Sequence, residues 1–299
     1  MISLEQVRGF VAVAEEGHFR RAAARLRMSQ PPLSRQVRNL EREVGARLLD
    51  RTPRGVELTP AGRVFLAEAR RLLALAEAAP DTARLVADGR VGTVRIGFTA
   101  ASGFGVLGRI LNHVEAALPG VELVLREMVS SAQFEDLHSG RLDLALARPP
   151  FDAGEFDSRL VHSEPLVLAA PADHALAADP APIPVAELNG TTLLVYAPGQ
   201  ARYFADLVAR VLAGVRYSPA HQLTQIHTML ALVAAGRGLA LVPASATRLH
   251  PDGVRFRPLA DPPDDPVELY AVWRREAANP ALLRVVELLD MLRPERFRS

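Results

Sequence analysis

The sequence predicts an α/β protein that begins with a separate, all-α-type winged helix-turn-helix module. Three observations predict this. Apolar residues in the first 45 positions recur at helical spacing around a short arginine-rich helix. Residues 61–89 form one long Ala/Leu/Arg/Glu-rich stretch. From Val91 onward, short apolar runs alternate with helical patterns.

Composition bounds what such a chain does. Its 299 residues are 49% hydrophobic, enough to bury the cores of two or three domains. Cysteine is absent, which excludes disulfides, thiolate metal sites and cysteine nucleophiles. Glu15 and Glu16 fall where a signal peptide needs an unbroken apolar core. No apolar run approaches the ~18 residues of a membrane span, so the expected setting is soluble, cytoplasmic and without a membrane partner. All 35 basic residues are arginine, and the net charge is only +1. That charge is unevenly placed: residues 1–90 carry +5, the remainder −4, and residues 20–54 alone +7. Such asymmetry points to a polyanion-binding end joined to a different kind of domain.

The first helix is read from Leu4, Val7, Phe10, Val11, Val13 and Ala14, with Gly17 as its stop. Phe19, Ala22, Ala23 and Leu26 make a short second helix whose small residues permit close packing. Ser29 suits the N-cap of a third helix, which places Pro31 and Pro32 in its first turn. Backbone N–H groups there have no internal partner, so proline removes nothing. Along this helix Leu33, Val37, Leu40 and Val44 share one face. Arg35, Arg38 and Arg42 take the opposite side, with Pro31 among them and Ser34 flanking. A short helix, a turn and a helix with a polar N-terminal face form a helix-turn-helix, whose second helix enters the DNA major groove. Gln30 and Arg35 are types that make paired hydrogen bonds to adenine and guanine edges. Ser34 suits phosphate oxygens. In "ARLLDRTPRGVELTPAG" a "TPRG" turn separates short apolar runs, a two-stranded wing expected to carry Arg51 and Arg54 at its tip.

Residues 61–89 carry apolar side chains around most of their circumference, more than a lone exposed helix tolerates, so a partner helix is expected. Pro80 predicts a kink or break there. Beyond it, "VRIGF", "VELVLREM", "LDLALAR", "LVLAA", "TLLVYA", "LALVPA" and "VELYAVW" read as strands. Residues 104–117, 131–140, 201–213, 223–235 and 280–292 read as helices. Ligands of open α/β sheets bind beyond the carboxyl ends of strands. That rule selects residues 99–102, 129–131 and Arg148. No GxSxG elbow, phosphate loop, HExxH or glycine fingerprint is present, and the eight histidines lack metal-ligand spacing. The expectation is therefore no enzyme, no catalytic residue, no metal and no cofactor.

The stretch "HFRRAAARLRMSQPPLSRQVRNLEREVGARLLDRTPRGVELTPAG" closely resembles the DNA-binding domain of LysR-type transcriptional regulators. The resemblance covers residues 1–65, above all Ala22-Ala23, Leu26, Ser29-Gln30-Pro31, Leu33-Ser34-Arg35, Leu40-Glu41, Leu48, Arg51 and Leu58-Thr59-Pro60-Ala61-Gly62. Further along, "VRIGFTAASGFGVL", "ELVLREMVSSAQFEDLHSGRLDLALAR" and "LALVAAGRGLALVPAS" look like the family's regulatory domain. They look most like the branch that senses aromatic-degradation intermediates, the benzoate, muconate and chlorocatechol pathways.

The resemblance implies a winged helix-turn-helix domain (1–60), a linker helix for dimerisation (61–90) and an effector-binding domain (91–299). The last resembles periplasmic binding proteins, with lobe I at about 91–163 and 267–299 and lobe II at about 164–266. Crossovers are placed near 162–165 and 264–268, with "ADPPDDP" as a hinge-side loop. It also implies a homodimer assembling to a homotetramer on promoter DNA, and contact with RNA polymerase. DNA contacts would come from Gln30, Pro31, Ser34, Arg35 and Arg38, and from Arg51 and Arg54. Effector contacts would come from Ala101, Ser130, Arg148, Phe204 and His227, with Ser102, Arg202 and Tyr203 nearby. Arg148 and Arg202 favour a carboxylate, so the effector is expected to be a small organic acid. A solute-binding protein or small-molecule sensor is the alternative reading of the C-terminal two thirds; the basic N-terminal module argues against it.

Overall fold

The computed structural model describes residues 1–52, 55–103, 106–260, 266–291 and 295–296, with 290, 291, 295 and 296 described by backbone alone. The chain divides into two compact units, Met1–Leu85 and Val86–Ser299.

In the first unit, α1 (Leu4–Glu16) opens on a reciprocal cap. Gln6 N–H donates to Ser3 Oγ at 3.3 Å, and Ser3 N–H donates to Gln6 Oε1 at 2.8 Å. Gly17 ends it in the left-handed conformation, φ 64°. After α2 (Phe19–Arg25), α3 spans Gln30–Val44 with Ser29 as its N-cap residue. The Ser29 side chain makes no capping hydrogen bond, so the start of α3 is set by Pro31 and Pro32. Leu33, Val37 and Leu40 are buried with Val7, Phe10, Val13 and Ala22 in one core. Each of these Leu, Val and Phe side chains contributes roughly 1.5–3 kcal/mol by leaving water.

The wing is an antiparallel pair, β1 (Leu49–Thr52) and β2 (Gly55–Leu58), with Leu49 opposite Leu58 and Arg51 opposite Val56. Glu41 of α3 anchors its root, as Leu48 N–H and Leu49 N–H donate to Glu41 Oε1 at 2.9 and 3.1 Å. Helix α4 runs unbroken from Pro60 to Ala87 with Pro80 inside it, so of the expected kink or break the break does not occur. Pro80 is exposed, where water can take the carbonyl that its missing N–H leaves free. The base of α4 is seated closely: a Cβ on Gly62 would lie 1.9 Å from the Leu48 carbonyl oxygen. Phe65 meets Phe10 edge-on at 5.3 Å. Glu15 accepts hydrogen bonds from Arg25 of α2 and Arg70 of α4. No described helix is long and apolar enough to cross a membrane.

The second unit holds two lobes. Its first comprises β3 (Val91–Phe98), α5 (Ala100–Gly103), α6 (Val106–Ala117), β4 (Gly120–Glu127), α7 (Ser130–His138), β5 (Leu144–Ala147) and β6 (Phe156–Glu164). The second comprises β7 (Leu166–Pro171), β8 (Thr192–Tyr196), α8 (Arg202–Val211), β9 (Ser218–Leu223), α9 (Ile226–Ala234), β10 (Ala240–Pro243) and β11 (Val254–Pro258). The chain returns to the first lobe through β12 (Val267–Arg274), α10 (Pro280–Met291) and β13 (Glu295–Arg296). The six-stranded sheet runs β13-β6-β12-β5-β3-β4. The second lobe pairs β10 and β11 with β7, and β9 in parallel with β8. The lobes have separate apolar cores.

Strands β6 and β12 are antiparallel neighbours, with Glu164 opposite Val267, so both crossovers leave the first lobe side by side. The expected crossover at 162–165 matches the end of β6 and the start of β7. Residues 261–265, most of the "ADPPDDP" loop, lie outside the described residues. Four strands are absent from the sequence reading: the two-residue β13, and β6, β9 and β11, whose alternation is blurred by polar residues.

Candidate functional site

The exposed face of α3 presents Gln30, Pro31, Arg35, Arg38 and Arg42, with Ser34 half-buried beside them. This is the face opposite buried Leu33, Val37 and Leu40, so the core fixes its direction. Arg38 Nε donates back to the Ser34 carbonyl at 3.2 Å. Arg42 donates to Asn39 Oδ1. Arg35, Arg38, Arg42 and Arg47 line one open groove of about 730 Å³. Arg51 stands within β1 rather than at the wing tip, and its guanidinium lies over the Phe19 ring. Arg54 lies outside the described residues. Helix N-terminal groups, arginines and a glutamine on one exposed face are the chemistry of groove reading and phosphate contact.

The second unit contains a cleft of about 620 Å³. Its walls come from segments following β3, β4, β5, β8 and β9, the carboxyl ends of five strands, as expected for an open α/β sheet. Seven of the eight residues expected at the effector site line it: Ala101, Ser130, Arg148, Arg202, Tyr203, Phe204 and His227. Ser102 does not. It is buried, its hydroxyl donating to the Thr99 carbonyl at 2.7 Å and accepting from Thr99 N–H at 3.0 Å, so it shapes the turn after β3.

Arg148 is the cleft's buried cation. Its Nη1 donates to the Glu268 carbonyl at 2.7 Å, and its guanidinium faces the rings of Phe204 and Tyr203 at 4.8 and 5.4 Å. Its Nε has no hydrogen-bond partner. Burial pushes the Arg148 guanidinium below the ordinary arginine value, opposed by the nearby Glu164 carboxylate. Tyr203 is fixed to the returning crossover, donating to the Pro266 carbonyl at 3.1 Å and accepting from Glu268 N–H at 2.7 Å. Burial also raises its hydroxyl's pKa. Arg202 is exposed at the rim and pairs with Asp206 at 3.5 Å, one helical turn on. His227 is exposed at the start of α9. A buried, incompletely satisfied guanidinium beside aromatic faces suits an anion with an apolar body.

Sequence reasoning missed Met128, Phe134, Gln200, Thr224 and Gln225, all of which line the cleft. Phe134 stands four residues after Ser130 and shares its helical face, a spacing visible in the sequence. Thr224 and Gln225 follow β9, whose "SPAHQL" has no strand signal.

A model of the bacterial regulatory helix-turn-helix protein, lysR family, matches residues 4–63. A model of the LysR substrate binding domain matches residues 87–293. The chain belongs to the LysR family. The HTH-type transcriptional regulator IlvR of Caulobacter vibrioides is 38% identical over 96% of this chain and 97% of its own length. The crystal structure of full-length CbnR complexed with its target DNA superposes with a TM-score of 0.86 at 30% identity, covering 97% of this chain and 99% of that one. The BenM effector binding domain with its effector benzoate superposes with a TM-score of 0.59 at 27% identity, covering 67% of this chain and 91% of that one. This LysR-family chain is a DNA-binding transcriptional regulator with an effector-binding domain, and its relatives are regulators rather than enzymes.

Proposed function

We propose that this LysR-family regulator is cytoplasmic, binds promoter DNA through α3 and the wing, and answers to a small organic acid held in the 620 Å³ cleft. The observation that carries the effector class is Arg148: a buried guanidinium that lines the cleft beside Phe204 and keeps hydrogen-bonding capacity unused. A carboxylate supplies the missing acceptor through a charge-assisted hydrogen bond. Met128, Phe134, Phe204 and Ile226 supply the apolar wall for an aromatic or dienoic body. The benzoate of the BenM effector domain supports the same class, that of regulators sensing aromatic-degradation intermediates. No cofactor is needed beyond the effector.

Dimerisation is assigned to α4, where Val64 is 71% and Leu75 69% exposed and Leu72 also faces solvent. A second α4 covers that surface. Membership of the family supports assembly to a tetramer and contact with RNA polymerase.

Calorimetric titration of the full-length protein with benzoate, cis,cis-muconate and their uncharged amides tests the reading. The expected result is binding of an acid and none of its amide, with at least tenfold weaker binding to Arg148→Ala. Unchanged affinity in Arg148→Ala overturns the site.

A further inference from the structure

Arg51 is held on the wing in an unusual way. Among the described residues no carboxylate lies within ion-pair distance of it, although neighbouring Arg47, Arg21 and Arg25 each have one. Its guanidinium carbon instead lies 5.1 Å from the centroid of the Phe19 ring. Phe19 is the first residue of α2 and is 8% exposed, its body packed into the core with Ala22, Ala23 and Val56. The two residues are held in register by the backbone. Val56, opposite Arg51 in the wing, donates its N–H to the Gly17 carbonyl at 2.8 Å, two residues before Phe19. Gly55 permits this approach, since a Cβ there would lie 2.6 Å from the Gly17 oxygen. The wing is thus docked on the α1–α2 turn, with the Phe19 ring beneath Arg51. A groove of about 440 Å³ opens at that place, bordered by Arg20, Arg21, Gln30 and Arg51.

We infer that Phe19 is a positioning residue for DNA binding: its ring orients the Arg51 guanidinium over this groove while leaving its charge free for the DNA backbone. A carboxylate partner would also order Arg51, but it would neutralise the charge that a phosphate needs. An aromatic face restricts the side chain without that cost, because the attraction to the ring quadrupole leaves the outward N–H donors unused. Arg20 and Gln30, which border the same groove, make it a polyanion seat rather than an isolated contact. The inference rests on Arg51 as a DNA contact, and the experiment separates the two.

The full-length protein is titrated by fluorescence anisotropy onto a duplex that it has itself selected from a randomised pool, across a salt series. Arg51→Ala is expected to weaken binding and to reduce the salt slope by about 1. Phe19→Leu is expected to weaken binding about fivefold, and to cause no further loss in the Arg51→Ala background. Arg51→Lys leaves the core untouched and retains the charge but loses the planar stack; it is expected to weaken binding severalfold, which keeps the test informative should Phe19→Leu loosen the fold. Losses that multiply in the double variant, or wild-type binding by Arg51→Lys, overturn the role of Phe19. Wild-type binding and salt slope in Arg51→Ala overturn Arg51 as a contact.

Discussion

The guanidinium of Arg148, at the end of β5 in one lobe, lies 4.8 Å from the ring centroid of Phe204 on α8 of the other. A cation removed from water in this way is costly, and aromatic faces recover only part of that cost. Arg148 therefore reads as a residue held for a ligand rather than for stability. Its apolar near-isostere tests this: Arg148→Met is expected to hold the thermal midpoint within about 8 °C, because the desolvation cost of the cation is removed while the buried Glu164 carboxylate keeps its hydrogen bonds from Ser245 N–H and Oγ. Its acid binding should disappear. A midpoint lowered by more than about 8 °C, roughly 2–4 kcal/mol for a unit of this size, would make Arg148 a structural ion instead.

Tyr203 ties α8 to the returning crossover through a single hydroxyl that both donates to Pro266 O and accepts from Glu268 N–H. Tyr203→Phe keeps the ring beside Arg148 but leaves that N–H and that carbonyl without their partner. The expected cost is about 1–3 kcal/mol, read as a lower urea midpoint at unchanged slope. Trp273 on β12, the only tryptophan in the sequence, serves as the probe.

Most of this architecture was legible from spacing, and the parts that were not share a cause. The α3 face could be read because burial acts on one helix alone: Leu33, Val37 and Leu40 must turn inward, and Gln30 and Arg35 are left outward. The cleft floor at residues 99–101 and 129–131 and at Arg148 followed from apolar strands whose carboxyl ends are obvious. β9 was invisible because Ser218, Pro219, His221 and Gln222 are exposed on a strand that, among the described residues, pairs with β8 alone, so Thr224 and Gln225 went unplaced with it. Ser102 falls outside the cleft lining because its hydroxyl is taken up by the Thr99 backbone, a property of the turn and not of residue type. Of the kink or break read from Pro80, the break does not occur, because the carbonyl that proline frees can meet water.

Gly62 marks where α4 presses against the start of the wing. An added Cβ would lie 1.9 Å from the Leu48 carbonyl oxygen, a backbone atom that cannot swing aside. Gly62→Ala should therefore destabilise the first unit by about 1–3 kcal/mol or more, although alanine is the better helix former by about 1 kcal/mol. A lowered thermal midpoint of a fragment is not the readout, because α4 continues into the second unit. The readout is faster hydrogen exchange of the Val7, Phe10 and Val37 amides in the full chain, with exchange at Leu144 and Leu146 unchanged. Wild-type protection at all five would show that the helix seat is adjustable.

Asp143 gives the first lobe a defined pH dependence. Burial raises its pKa, but hydrogen bonds from the Arg95 side chain and backbone and from Asn279 outweigh that effect, and the carboxyl is held below its usual value. A group whose pKa is lower folded than unfolded stabilises the fold while both states are ionised. That contribution is complete above about pH 5 and fades as pH falls from about 4 through the lowered folded value. Asp143→Asn removes the charge at every pH while keeping the shape. It should cost about 1–2 kcal/mol at pH 7, a discounted figure because Arg95 is partly exposed. The gap between wild type and variant in urea denaturation should hold steady from pH 7 to about pH 5 and narrow below about pH 4. Were the gap instead to widen on acidification, the Arg95–Asp143 pair would not be what stabilises this lobe.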